Sequence, residues 1–289
     1  MASEVKLLGL LSKLIEELRP LSLAWFSSFN LDPYLVETFI LPKLLGQDRP
    51  RDIYDYEALS IRLAQAQEEG ELDVRFFCDA RVLQTSRLKR TTVPIHGVVP
   101  RAFGEAYQGG VFHPKVWYLQ STGESGERRA YVVTGSANLT IPGWANNRES
   151  VLVREVRDPG NRSAIREFWE RCLSAAGVDN APLDRMENVP ASQDGEGWNF
   201  CWTGGTLDFV ETLVAEAGEE SAPLTVWTPY WAQNVGKVME RISEKRASST
   251  GFDFYPDLVE GRRARMTEHQ RDKLLGSPWK EAAHFFREP

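Results

Sequence analysis

The sequence predicts an α/β protein, a mixed sheet flanked by helices. Three observations point to it. Helix-period and strand-like segments alternate along the first 178 residues. The strand-like runs are rich in β-branched and aromatic residues, some alternating and some wholly apolar. Helix start and stop signals fall between them, at Asp32-Pro33, Gly46 and Asp158-Pro-Gly160.

Taken in order, an amphipathic helix is expected over about Glu4 to Leu18, its heart the apolar run from Val5. A strand follows from Leu21 to Phe29. Asp32 caps a helix that begins at Pro33 and ends at Leu45, with Gly46 as its stop. A further helix lies near Tyr56 to Gln67, then a strand from Leu72 to Cys78. Next come an irregular basic segment and two stretches that each begin as a strand, Val111 to Leu119 and Tyr131 to Thr140, the second strand ending in Gly135-Ser-Ala-Asn138; a Gly-, Ser- and Glu-rich turn joins them. A strand from Ser150 to Val156 and a helix with Ile165, Phe168, Trp169, Cys172 and Leu173 on one stripe complete the pattern. Trp25, Trp117 and Trp227 sit in strand-like runs and are read as core. His96, between Pro94 and Gly97, is read as loop, and His284, beside Phe285 and Phe286, as a helix residue.

At 289 residues and 42% apolar the chain can bury a sizeable core in one or two domains. No apolar run reaches the roughly 18 to 20 residues that span a bilayer. The N-terminal helix lacks a basic leader and a small-residue cleavage site, and three scattered cysteines (Cys78, Cys172, Cys201) have no paired spacing. A reduced, cytoplasmic protein without membrane, disulfide framework, zinc site or cofactor is expected. The net charge of −7 argues against a wholly basic nucleic-acid coat. Charge is uneven, however: Arg75, Arg81, Arg87, Lys89, Arg90 and Arg101 stand against the single acid Asp79. This segment either lines the approach to a site and holds phosphates or is a solvated loop balancing acidic helices.

The chemistry concentrates in Val111-Phe-His-Pro-Lys-Val-Trp-Tyr-Leu119, Tyr131-Val-Val-Thr-Gly-Ser-Ala-Asn-Leu-Thr140 and Asn147-Arg-Glu149. On a strand, His113 and Lys115 would share a face about 7 Å apart. Gly135 permits close backbone approach, and Ser136 and Asn138 add short hydrogen-bonding side chains. His113, Lys115, Ser136, Asn138 and Glu149 at adjacent strand ends would make a site for an anionic, tetrahedral group. Glu149 could instead pair with Arg148 or Arg154. Gln120, Thr140, Trp144 and Asn147 are read as structural.

These blocks, in this order, resemble one half-site of the phospholipase D superfamily. The Ser-Ala-Asn-Leu run with Gly143-Trp144 is most similar to its tyrosyl-DNA phosphodiesterase and nuclease branch. Gln120 stands where the superfamily often has an Asp. The resemblance implies a metal-independent phosphodiesterase acting on nucleic acid, DNA in particular. In it His113 would attack phosphorus and form a phosphohistidine, while the His of a second half-motif protonates the leaving oxygen and then activates water. Lys115, Ser136 and Asn138 would hold the non-bridging oxygens, and Glu149 would fix a histidine tautomer. The second half-motif is supplied within one chain or across a dimer.

Residues 179–205 turn polar and are expected to link a first domain, 1–178, to a second, 206–289. Pro20-Leu-Ser-Leu-Ala-Trp-Phe-Ser-Ser-Phe29 is echoed by Pro223-Leu-Thr-Val-Trp-Thr-Pro-Tyr-Trp231, each preceded by an amphipathic segment (Val5 to Leu18; Thr206 to Ala217). The second domain is therefore expected to be the beginning of a similar half, with the counterpart of His113 near position 316, beyond the last residue given. The other function classes left open are a non-catalytic module that binds phosphate backbone or a partner chain, and a lipid phosphodiesterase.

Overall fold

The structure, a computed structural model, describes residues 6–85, 93–103, 110–123, 127–147, 149–188 and 197–202, and from there 224–228, 240, 244, 252–256, 258–259, 263–264, 266–275 and 283–285. Arg87, Lys89, Arg90, Arg148, the segment Thr206 to Ala217 and the Trp227 side chain, named above, lie outside the described residues. The chain divides into two compact units, Met1–Phe200 and Cys201–Pro289.

In the first unit the elements are α1 (Leu7–Leu18), β1 (Leu21–Ser28), α2 (Pro33–Leu35), a π turn (Val36–Ile40), α3 (Leu41–Leu45), α4 (Ile53–Glu68), β2 (Asp73–Asp79), α5 (Ala80–Thr85), β3 (Ile95–Val98), β4 (Val116–Ser121), β5 (Ala130–Gly135), β6 (Val151–Glu155) and α6 (Pro159–Ala176). Six strands form one mixed sheet in the order β3-β2-β1-β4-β5-β6. The first three are parallel, and β4, β5 and β6 run as an antiparallel meander joined to β1. The expected α/β sheet with flanking helices is what forms.

β1 is buried along its whole length, as befits a central strand covered on both faces. Alternation divides its side chains. Ala24 and Phe26, with Val74, Phe76, Trp117 and Leu119, face a core closed by α1, α3 and α4. Trp25 and Phe77 face α6, where Trp169 meets both rings at 5.7 and 5.6 Å. Such aromatic pairs add about 0.5–1.5 kcal/mol each beyond the area they bury. Asp32 accepts from the Tyr34 N–H and caps α2, and Gly46 closes α3 at φ 67, both as expected.

Several expectations are corrected. β4 begins at Val116, so His113 and Lys115 precede the strand instead of lying on one of its faces. Pro114 between them has no N–H to give a ladder. β5 does end in the Gly135-Ser-Ala-Asn138 run, at Gly135, with Ser136 and Asn138 in the turn beyond it. His96 is in β3, its ring 5.4 Å from that of Phe77. Burial pushes its pKa down to about 4, with the charge of Arg75 adding to the effect. Arg75 is neither a solvated cation nor a phosphate ligand. It lies buried in β2, forked onto both oxygens of Asp73 at 2.8 and 3.1 Å, and donates to the Asp179 carbonyl. Gln120, by contrast, has the structural place expected of it, buried between the Tyr118 hydroxyl and the Arg185 carbonyl.

Beyond α6 the chain keeps packing on the same unit. A 3-10 segment, Ala181–Asn188, buries Leu183 and Met186, and Phe200 lies edge-on to Phe168 at 5.9 Å. Asn161 fastens this return by donating to the Trp198 carbonyl and accepting from the Phe200 N–H.

The second unit contains a three-stranded parallel sheet, β7 (Leu224–Thr228), β8 (Phe252–Pro256) and β11 (Ala283–Phe285), in the order β11-β8-β7. A short hairpin of β9 (Leu258–Val259) and β10 (Arg263–Ala264) and a helix, α7 (Glu268–Leu275), lie between β8 and β11 in sequence. His284, expected in a helix, is in β11. The order, third strand to first, is that of β3-β2-β1 in the first unit.

Candidate active site

Five segment ends meet at one edge of the six-stranded sheet: the carboxyl ends of β1, β2 and β5 and the starts of β4 and β6. Strand order reverses between β1 and β4, and ligands of open α/β sheets lie outside the carboxyl ends of strands at such a reversal. The motif residues are gathered here.

His113 is exposed and its ring lies 5.1 Å from that of Phe29, just past β1. The Lys115 side chain is buried and folds back over the histidine. Its ammonium stands 2.9 Å from Nδ1 and 3.2 Å from Nε2 and donates to the His113 carbonyl at 3.1 Å. Either tautomer offers an accepting nitrogen to that ammonium; an imidazolium offers none. Burial, and then the Lys115 charge, accordingly hold the His113 pKa below its ordinary value. Burial pushes Lys115 down to about 8, against the opposing pull of the Glu149 carboxylate. Near neutrality the pair is a neutral imidazole beside a charged ammonium.

Ser136 donates to Glu149 and accepts from the Ser150 N–H, and Asn147 also donates to Glu149. Asn147, read from sequence as structural, is thus a partner of the carboxylate. Glu149 is held by Ser136 and Asn147; among the described residues it makes no hydrogen bond to His113. The Asn138 carboxamide oxygen accepts from Ser28 Oγ at 3.2 Å and the Asn30 N–H at 3.4 Å. Its Nδ2 group has no partner among the described residues and remains a donor for a ligand. The Gly135 N–H donates to the Lys115 carbonyl at 3.2 Å and ties the two motif segments together.

Two glycines make this turn possible. A Cβ on Gly135 would stand 2.5 Å from the Ser150 carbonyl oxygen, and one on Gly143 would stand 2.5 Å from that of Asn138. Trp144 then stacks on Trp117 at 4.8 Å and anchors the turn to the core.

Sequence reasoning missed Asp79 and Arg81 as parts of this site. The Asp79 carboxylate is fully buried at the end of β2. It accepts from Arg81 Nε at 2.9 Å, Arg81 Nη2 at 2.7 Å and the Phe112 N–H at 2.8 Å; Arg81 Nη2 also donates to the Gly110 carbonyl. Burial alone would raise the Asp79 pKa, but these hydrogen bonds and the Arg81 charge hold it below the usual carboxylate range. The residue before His113 is therefore pinned to β2. Asp79→Ala leaves the buried Phe112 N–H without an acceptor, at about 1–3 kcal/mol. The expected result is that loss in a denaturant titration, together with faster amide exchange confined first to Phe112 and its neighbours. The only prior signal was one acid in a basic stretch.

No family model matches the sequence, and no curated protein matches it. Among solved structures, the chain is similar to NucT from Helicobacter pylori, at 15% identity and a TM-score of 0.36 over 58% of this chain and 87% of that one. It is also similar to a mutant yeast tyrosyl-DNA phosphodiesterase, at 11% identity and a TM-score of 0.39. That match covers 95% of this chain and 64% of the yeast chain. Among the described residues no helix is long and apolar enough to cross a membrane.

Proposed function

We propose that this chain is a phosphodiesterase of the phospholipase D kind, acting on nucleic acid through a phosphohistidine at His113. One observation carries the reading: the Lys115 ammonium lies within 3.2 Å of both ring nitrogens of an exposed imidazole, whose pKa burial and then that charge lower. A neutral imidazole at pH 7 is a nucleophile, and the ammonium beside it neutralises the diester anion that would otherwise repel attack. Asn138 Nδ2 is the further donor for the non-bridging oxygens, while the Ser136 hydroxyl, whose one proton goes to Glu149, positions that carboxylate. A second half-site of the same kind supplies the acid that protonates a poor leaving group. The strand order shared by the two units supports such a repeat.

The test uses a diester whose leaving group departs unprotonated, such as a bis(nitrophenyl) phosphate, so that one half-site suffices. Imidazole nitrogen forms the bond to phosphorus, and the P–O bond breaks with its electron pair leaving as nitrophenolate. With EDTA present, the chain is expected to release nitrophenolate and carry an acid-labile phosphoryl group on His113. Release that stops on chelation, or a phosphoryl group on another residue, overturns the reading.

A further inference from the structure

A second feature lies a few residues from Asn138 and belongs to none of the motifs. Asp32 donates its backbone N–H to the Leu139 carbonyl at 2.8 Å, and its carboxylate caps Tyr34. Tyr34 is two Cα steps further on, at most about 8 Å along the chain. It lines an open cavity of about 580 Å³ with Thr38, Asp48, Arg49, Arg51 and Tyr56. That volume falls in the range that holds small molecules.

The cavity has a fixed aromatic wall. The Tyr34 ring stands edge-on to Phe39 at 6.0 Å, the Arg49 guanidinium lies 4.2 Å over the Phe39 ring, and Arg49 donates to the Tyr34 hydroxyl at 3.2 Å. Tyr34 nevertheless keeps 50% of its surface exposed, a large apolar area to leave in water on a residue so firmly placed. Tyr56 and Thr38, which also line the cavity, share a hydrogen bond of 2.8 Å. The neighbouring acids are occupied: Asp52 caps α4 through the Tyr54 and Asp55 N–H groups, and Asp55 accepts from the Arg51 N–H. Arg49, Arg51 and Asp48 are the charges that line the cavity itself.

We propose that this cavity is a subsite for a nucleobase of a single-stranded nucleic acid. The base stacks on Tyr34, and Arg49 and Arg51 take the adjoining phosphates. Aromatic faces interleaved with guanidinium groups are how proteins hold single strands without reading sequence, because every base has a π face. That the bound strand runs on to His113 rests on the function proposed above; the stacking itself does not.

The test measures binding of fluorescein-labelled octamers of thymidine and of uridine, with His113→Ala as the parent so that no strand is cut. Replacing Tyr34 by alanine is expected to raise Kd by about tenfold or more, the loss of one stacked base. Tyr34→Phe should restore binding, and Arg49→Gln should weaken it. A Tyr34-dependent loss with both octamers, or with one alone, supports the subsite and says whether DNA, RNA or both occupy it. Equal Kd values for the parent and for Tyr34→Ala, with unchanged circular dichroism, overturn it. Because the parent does no chemistry, this result and the phosphohistidine assay succeed or fail separately.

Discussion

His113→Ala is expected to lower the initial release of nitrophenolate from an activated diester by about 10³-fold or more while the protein stays folded. The loss removes the attacking atom itself, so the effect should be no smaller than the middle of the 10²- to 10⁴-fold range of a proton-transfer group. Stability should change little, because the ring is exposed and surface replacements stay within about 0.5 kcal/mol. Its contacts are the tilted approach to Phe29 and the Lys115 ammonium, and the lysine keeps its bond to the residue 113 carbonyl after truncation. A rate equal to that of the unaltered chain, at unchanged stability, would remove His113 from the mechanism. Adding imidazole to the variant gives a second reading. A cavity left beside Lys115 should admit the free base and recover part of the rate.

The parts of the fold that were legible in the sequence are those where local pattern and final environment agree. β1 and β2 are central and covered on both faces, so their apolar runs could belong to little else. The α6 stripe of Ile165, Phe168, Trp169, Cys172 and Leu173 is buried as its period requires. β3 was not legible: four residues, Ile-His-Gly-Val, follow a proline and, among the described residues, pair only with β2. The identities of the motif residues were legible, but their geometry was not. Strand alternation would have set His113 and Lys115 side by side, whereas Pro114 ends the ladder and lets the lysine curl onto the ring. Asp79 was illegible for a different reason. Its role depends on where the Gly110–Phe112 segment returns, and no local spacing records that.

Lys115→Met tests the same pair from the other side, and its signature is a conflict between activity and stability. Methionine fills the space of the lysine stem but cannot neutralise the diester, so nitrophenolate release should fall by about 10²- to 10³-fold, the cost of losing one transition-state donor. His113 should respond as well. In the unaltered chain burial and the ammonium hold its pKa below 6.5; without the ammonium, the proton resonances of the ring should titrate closer to 6.5. The pH–rate profile should change accordingly. The unaltered chain gains activity as His113 deprotonates and loses it as Lys115 deprotonates near 8, whereas in the variant the alkaline limb disappears and the acid limb moves up.

Stability should move the other way. A lysine held at about 8 in place of its ordinary 10.5 binds its proton less well folded than unfolded, a difference of about 3 kcal/mol at pH 7. That destabilisation is complete below 8, and it is recovered as pH climbs from 8 towards 10.5, where the unfolded lysine also loses its proton. Lys115→Met should therefore be more stable than the unaltered chain at pH 7, by about 1–3 kcal/mol, with the gap closing as pH approaches 10.5. A variant that is less stable at pH 7 would mean that the buried ammonium costs the fold nothing, and one whose His113 titrates where it did before would mean that the ammonium is not held against the imidazole. The site would then lose the feature that makes it a nucleophile. A buried cation kept at a cost to the fold, beside an exposed imidazole whose protonation it opposes, is the arrangement expected where stability is given up for chemistry.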